Sequence, residues 1–226
     1  RACALCMLAA LAMTTGCQNK PTETADSTNA ATDSVVAESP LDNAVVRAIM
    51  DRRSVRKYKP EPVPKEMLDV ILHCGINAPN AMNEQRWEVR VTNSKAFIDG
   101  VTKVFVESAE NDERVKKMVE NPDFHNMFRN APTVIFVAGK ADEKSSPIDC
   151  GMLGENIMLA AQSMGLGTCC LGSAAGFLNS DPGAANYLKQ LAFSDGYELL
   201  YAIAIGYPDE SPEAKPRDAS KIRYIE

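Results

Sequence analysis

Arg52-Arg53-Ser54-Val55-Arg56 sets three guanidiniums and a hydroxyl within five residues, directly after an apolar run of helical spacing. Arginine stays charged at any working pH and offers planar, bidentate donors, so such a cluster suits a dianionic phosphate monoester. A solvated basic turn at a helix end, where cations offset the C-terminal dipole, accounts for the same residues equally well. The segments on either side separate the two readings.

Val45, Val46, Ile49 and Met50 repeat at helical spacing, so the cluster ends a first amphipathic helix. Pro64 opens a second, with Met67, Leu68, Ile71 and Leu72 on its buried face and Gly75 expected as its C-terminal cap. A polar loop over residues 77–86 follows, and polar loops of this kind carry function. Alternation predicts a strand over 87–92, and the stretch from Ser94 to about Glu120 reads as one long helical region. Residues 132–138 are a continuous β-branched and aromatic strand. An apolar helix rich in Ala, Met and Gly is expected over 149–164, stopped by Gly165-Leu166-Gly167, and its small residues suit close packing against a neighbouring helix or a second subunit. Strands over 168–171 and 199–205 complete the inventory, before a charged, proline-rich tail.

The chain has 226 residues, 45% of them hydrophobic, which is enough for one sizeable core. Its net charge of −6 argues against a general nucleic-acid binder, which would neutralise phosphates with a basic surface. The arginine cluster is therefore a local feature and not part of a basic field.

Residues 2–13 form an apolar run followed by Thr14-Thr15-Gly16-Cys17. This run is too short to cross a hydrocarbon core, which needs about 20 residues. It resembles a bacterial lipoprotein signal over 1–17, with Cys17 as the lipidated residue and a membrane-anchored location in the periplasm or cell envelope. Residues 18–42 are too poor in large apolar side chains to fold and read as a disordered tether. The folded domain is expected over 43–226.

Cys3 and Cys6 fall in the leader, and no second pair has zinc-ligand spacing, so no metal site is expected. Cys74, Cys150, Cys169 and Cys170 read as small core residues, with a vicinal Cys169–Cys170 disulfide as the alternative. His73 and His125 read as structural or solvated. G-x-S-x-G, HExxH and a helix-opening G-x-G-x-x-G are all missing, so neither a serine nucleophile nor a zinc hydrolase is indicated.

Four segments, in order, resemble the nitroreductase family of FMN-dependent oxidoreductases. They are Arg52-Arg53-Ser54-Val55-Arg56, the stretch Ala78-Pro79-Asn80-Ala81-Met82-Asn83-Glu84-Gln85-Arg86-Trp87, Gly165-Leu166-Gly167-Thr168-Cys169, and Lys215-Pro216-Arg217. Arg86 departs from the pattern, where a proline is usual. The resemblance implies an α+β fold with a mixed central sheet flanked by helices, assembled as a homodimer with FMN at the interface. It assigns the FMN phosphate to Arg52, Ser54 and Arg56, with Arg53 reaching the flavin or ribityl chain and Lys215 and Arg217 adding C-terminal contacts. Asn83, supported by Gln85, would bond the flavin ring, and Gly172 would lend a backbone donor near N5.

The implied activity is transfer of two electrons through the flavin, in ping-pong order, to a nitro compound, quinone or similar small-molecule acceptor, with flavin N5 and no protein side chain carrying the chemistry. NADH or NADPH is the candidate donor; export would favour a membrane quinol or a reduced protein carrier. Dehalogenation or flavin fragmentation on the same fold, and a non-enzymatic flavin- or partner-binding lipoprotein, are the alternatives.

Overall fold

Strands that are apolar on both faces need cover on both sides, and that requirement organises this molecule. The computed structural model describes residues 40–225. The expected leader, Cys17 and all of the expected tether except 40–42 lie outside the described residues. Residues 40–42 lead through a turn to Asn43, whose Oδ1 accepts the N–H groups of Val45 and Val46 and so caps helix α1 (Ala44–Asp51).

Helix α2 (Lys65–Ile76) starts after Pro64, and strand β1 (Trp87–Thr92) matches its expected bounds. The region expected to be one long helix is divided. Ser94 caps α3 (Lys95–Glu107), a 3-10 turn follows at Ser108–Asn111, and Asp112 caps α4 (Glu113–Val119) by accepting the Arg114 N–H at 2.8 Å. Ser108, whose hydroxyl donates to the Phe105 carbonyl at 2.7 Å, and Asp112 are residues whose side chains compete with the helical backbone. Strand β2 (Thr133–Lys140), helix α5 (Ser146–Ser163) and strand β3 (Gly167–Leu171) come next. Helices α6 (Gly172–Ser180) and α7 (Ala185–Gln190), neither expected from the sequence, lead to strand β4 (Tyr197–Gly206).

The sheet order is β1-β2-β4-β3. The expected mixed sheet is corrected to one in which every strand pair is antiparallel, and the parallel direction enters only at the isolated bridge between Ser54 and Thr168. Side chains alternate across it. Val134, Phe136, Ala202 and Ala204 face a cluster with Ile98, Val101 and Phe105 of α3 and Ala174, Ala175 and Leu178 of α6. Ile135, Val137, Ile203 and Ile205 face the opposite cluster, with Leu68 and Ile71 of α2 and Leu153, Ile157 and Ala161 of α5.

Gly75 does not cap α2 as expected but lies inside it, and Asn77 is the C-cap. A Cβ at Gly75 would stand 2.6 Å from Ile157 Cγ1, so the glycine serves the close approach of α2 and α5.

Candidate functional site

Edge strand β3 is the spine of the site. Residues 54 and 55 run along its free edge: Ser54 bridges Thr168, and the Val55 N–H donates to the Thr168 carbonyl at 2.9 Å. The approach is close because position 167 has no side chain; a Cβ there would meet Val55 Cβ and Cγ2 at 2.8 Å and Cγ1 at 2.9 Å. Val55 and Tyr58 are buried, and the Tyr58 hydroxyl donates to the Val55 carbonyl at 2.5 Å. On the far side the segment is tied to the chain beyond β4, by Lys59 N–H to Tyr207 O and by Asp209 N–H to Lys57 O, both at 2.9 Å. The basic turn is therefore strapped on both sides.

Within it the arginines divide their work. Arg53 Nη1 donates to the carbonyls of Met50 at 2.6 Å and Arg52 at 2.9 Å, so this guanidinium closes the end of α1. Arg52 Nε lies 3.4 Å from Glu155 Oε1 on α5. Arg56 is exposed, its Nη1 donates to the Ser54 carbonyl at 3.0 Å, and its backbone N–H donates to the Glu210 carboxylate. Glu155 and Glu210 were not singled out from sequence, because each acquires its role only from a partner more than a hundred residues away.

At the other end of β3, Gly172 and Ser173 are exposed in the first turn of α6, which has no side-chain cap. Nothing lies within 4 Å of where a Gly172 Cβ would be. The first turn of α6, whose leading N–H groups have no side-chain cap, lies about 13 Å along an extended strand from Thr168.

Asn83 and Gln85 occupy a second loop, between α2 and β1. Met82, Asn83 and Gln85 have φ of 55°, 56° and 50°, a left-handed conformation that costs a non-glycine residue about 1–2 kcal/mol. Strain of this kind persists where the surroundings hold it, and here they do. Both carboxylate oxygens of buried Asp149 accept the Ala81 N–H, at 3.2 and 3.3 Å, and Asn80 Oδ1 accepts the Gln85 N–H at 2.9 Å. Arg86 pairs with Glu84 and, at 3.2 Å, with Glu143, while the Trp87 N–H returns to the Gln85 carbonyl at 2.8 Å. That network fixes the backbone path where a proline was usual.

Helix α5 sets the two loops relative to each other. Asp149 holds one and Glu155 touches the other, six residues apart and so separated by about 9 Å along the axis. Lys215 and Arg217 are not brought in: both are exposed, Arg217 Nη1 donates to the Lys215 carbonyl at 3.1 Å, and among the described residues no hydrogen bond or ion pair joins either to residues 52–56. Cys169 is buried and Cys170 exposed, as successive strand residues must be when they point to opposite faces. Both are free thiols, so the vicinal disulfide does not form. Burial pushes the Cys169 thiol up, against the pull of Arg56, Arg129 and Arg52.

The chain is similar to known proteins in sequence and in fold. Residues 49–207 match the model of the nitroreductase family. A putative NADH dehydrogenase/NAD(P)H nitroreductase of Archaeoglobus fulgidus is 33% identical over 175 residues, which span 74% of this chain and 87% of that protein. An NADPH-flavin oxidoreductase of Vibrio harveyi is 29% identical over 186 residues, 77% of this chain and 70% of the relative. Among solved structures, a nitroreductase of Desulfitobacterium hafniense with bound FMN superposes with a TM-score of 0.73 at 27% identity, covering 82% of this chain and all of the other.

Proposed function

Because the chain belongs to the nitroreductase family, we propose that it is an FMN-dependent oxidoreductase that carries two electrons from NADH or NADPH to a nitro compound, quinone or similar small acceptor. The observation that carries this reading is the layout of β3. Arg52, Ser54 and Arg56 flank its start, and uncapped backbone donors stand at its end, a span suited to the phosphate and ring of one extended flavin mononucleotide. When bound, FMN would supply two-electron redox chemistry between the donor and the acceptor.

The residues do the rest. Arg52 and Arg56 hold the phosphate with charge-assisted bonds, and Ser54, fixed against Thr168, adds a hydroxyl donor. Asn83 and Gln85 present amides to the polar edge of the ring, and Asp149 keeps their loop in its strained conformation. Gly172 leaves room for the ring and offers its N–H. Arg53 supports the site by closing α1. Lys215 and Arg217 reach the phosphate only if the C-terminal segment folds back.

Members of the family are typically dimeric. In this chain α1 buries none of its residues and leaves Val45, Ile49 and Met50 at 66%, 52% and 67% exposure, an apolar stripe for a second copy. The reading includes a homodimer with FMN at the interface, and light scattering of an Ile49→Asp variant that remained dimeric would count against that face. Among the described residues no helix is long and apolar enough to cross a membrane. The reading also includes lipidation at Cys17, and release of Cys17→Ala from the membrane fraction tests it.

The central test is spectroscopic. The full chain should retain FMN, its flavin absorbance should bleach anaerobically with NADH or NADPH, and it should return on adding a nitroaromatic or quinone. Protein that binds FMN but is bleached by neither nucleotide would limit it to another donor; protein that does not bind FMN would end the reading.

A further inference from the structure

Behind Arg56 lies a cavity of about 760 Å3, bounded by residues 56–62, the start of α3 and residues 118–132. Four cations line it, and two are neutralised within it: Lys95 pairs with Asp99, and Lys57 lies 3.5 Å from Asp123. Arg56 and Arg129 are the other two, and the one further carboxylate of the lining, Asp209, forms no ion pair with either among the described residues.

Arg129 differs from the other half-buried arginines. Arg52 and Arg86 meet carboxylates, Arg53 caps carbonyls, and Arg90 has both Glu88 and the Leu191 carbonyl. Arg129 donates to a thioether, Met118 Sδ, at 3.6 Å, and among the described residues it has no ion pair. A thioether is a weak acceptor and leaves most of a guanidinium's five donors unspent.

The backbone holds this arginine at a fixed place. Arg129 and Asn130 have φ of 58° and 64°. Asn126 Oδ1 accepts the N–H groups of Phe128 and Asn130 at 2.9 and 3.0 Å, and Asn130 Oδ1 accepts those of His125 and Asn126 at 2.8 and 2.9 Å. Asn130 Nδ2 donates to the Asp123 carbonyl at 2.6 Å, and buried Thr102 ties the Met127 N–H to α3 at 3.3 Å. A stiff loop that carries a donor-rich, carboxylate-free side chain into a cavity shared with Arg56 is a preorganised anion contact.

We propose that Arg129 joins Arg52, Ser54 and Arg56 as a ligand of the flavin phosphate, and so contributes to a preference for FMN over riboflavin; this rests on the flavin reading above. The electrostatics agree with the geometry. Arg56 and Arg129 both act on the Tyr58 phenol and on the Cys169 thiol, which sits beside the Ser54 bridge.

The experiment titrates FMN and riboflavin into apoprotein of the full chain and of its Arg129→Met and Arg129→Lys variants. Losing one charge-assisted bond to a phosphate should weaken FMN binding about ten- to a hundredfold in Arg129→Met and leave riboflavin binding unchanged. Arg129→Lys should recover part of the loss. An unchanged FMN preference in Arg129→Met overturns the proposal while sparing the basic turn. Equal loss for both flavins, in either variant, overturns it too and makes Arg129 a structural residue. No FMN preference in the unmodified chain would instead overturn the phosphate reading itself, and this inference with it.

Discussion

Gly167→Ala puts a methyl group where Val55 already stands. The new Cβ would lie 2.8–2.9 Å from three carbons of Val55, and one of these is Val55 Cβ, which no rotamer change can move. Ordinary carbon contacts need about 3.5–4.0 Å, so the two backbones must part by about 1 Å. The Val55 N–H to Thr168 O bond, 2.9 Å long, would stretch beyond hydrogen-bonding range. Overpacking costs about 1–3 kcal/mol and the lost bond about 0.5–1.5 kcal/mol, so a destabilisation of about 2–4 kcal/mol is expected. In a domain of this size that lowers Tm by about 4–16 °C. The same displacement moves Ser54 and its flanking arginines off the edge of β3, so FMN affinity should fall at least tenfold. Gly100→Ala is the control: its Cβ would press 2.8 Å from Tyr187 Cζ, between α3 and α7 and not against residues 52–56, so it should perturb stability without touching FMN affinity. Thermal unfolding and FMN titration of both variants decide the matter. FMN affinity unchanged in Gly167→Ala, alongside the expected fall in Tm, would refute the claim that this turn holds the cofactor.

Arg56→Ala should yield folded but largely colourless protein, and an FMN affinity equal to that of the unmodified chain in a flavin titration would contradict its role. Burial, followed by the neighbouring Cys169 and Glu210, pushes the Tyr58 phenol well above its ordinary value. Its folded-state pKa is raised, so its contribution to stability is complete below the unfolded value of about 10 and declines as pH rises beyond it. Tyr58→Phe, which loses the bond to the Val55 carbonyl, should therefore be less stable at neutral pH by about 1–3 kcal/mol and close that gap above about pH 10; a gap in urea unfolding that is constant with pH would be inconsistent with a buried phenol. Burial likewise pushes the Cys150 thiol up to about 11. Iodoacetamide near neutral pH should label exposed Cys74 well before Cys150, and mass spectrometry showing equal rates would rule out that burial.

Much of the framework is written in local pattern. Strand β1 alternates and ends where its alternation ends, and β2 and α5 announce themselves by continuous apolar runs. Helix α6 does not, because Gly172-Ser173-Ala174-Ala175-Gly176 has weak helix propensity; it holds by packing Ala174, Ala175 and Leu178 against the sheet. Gly75 looked like a helix stop, because a glycine placed for a neighbour's close approach has the same letter as one placed for a turn. Of the two readings of the basic turn, the helix-end one describes Arg53, which caps α1, while Arg52 and Arg56 flank the strand edge. Arg129 carried no signal at all. An arginine before Asn-Ala-Pro reads as an ordinary turn, and its significance comes from sharing a cavity with a residue more than seventy positions earlier.

The strand that organises the site is also a border of the sheet, and borders of sheets invite other strands. An unpaired ladder edge is a template for adventitious pairing between molecules. Here the short segment carrying Ser54 and Val55 lies along that edge and occupies part of it. Whatever loosens the segment uncovers the ladder, so the proposed phosphate site predicts that protein stripped of flavin should aggregate by strand addition sooner than the loaded form, and that a phosphate-bearing ligand should act as its solubiliser.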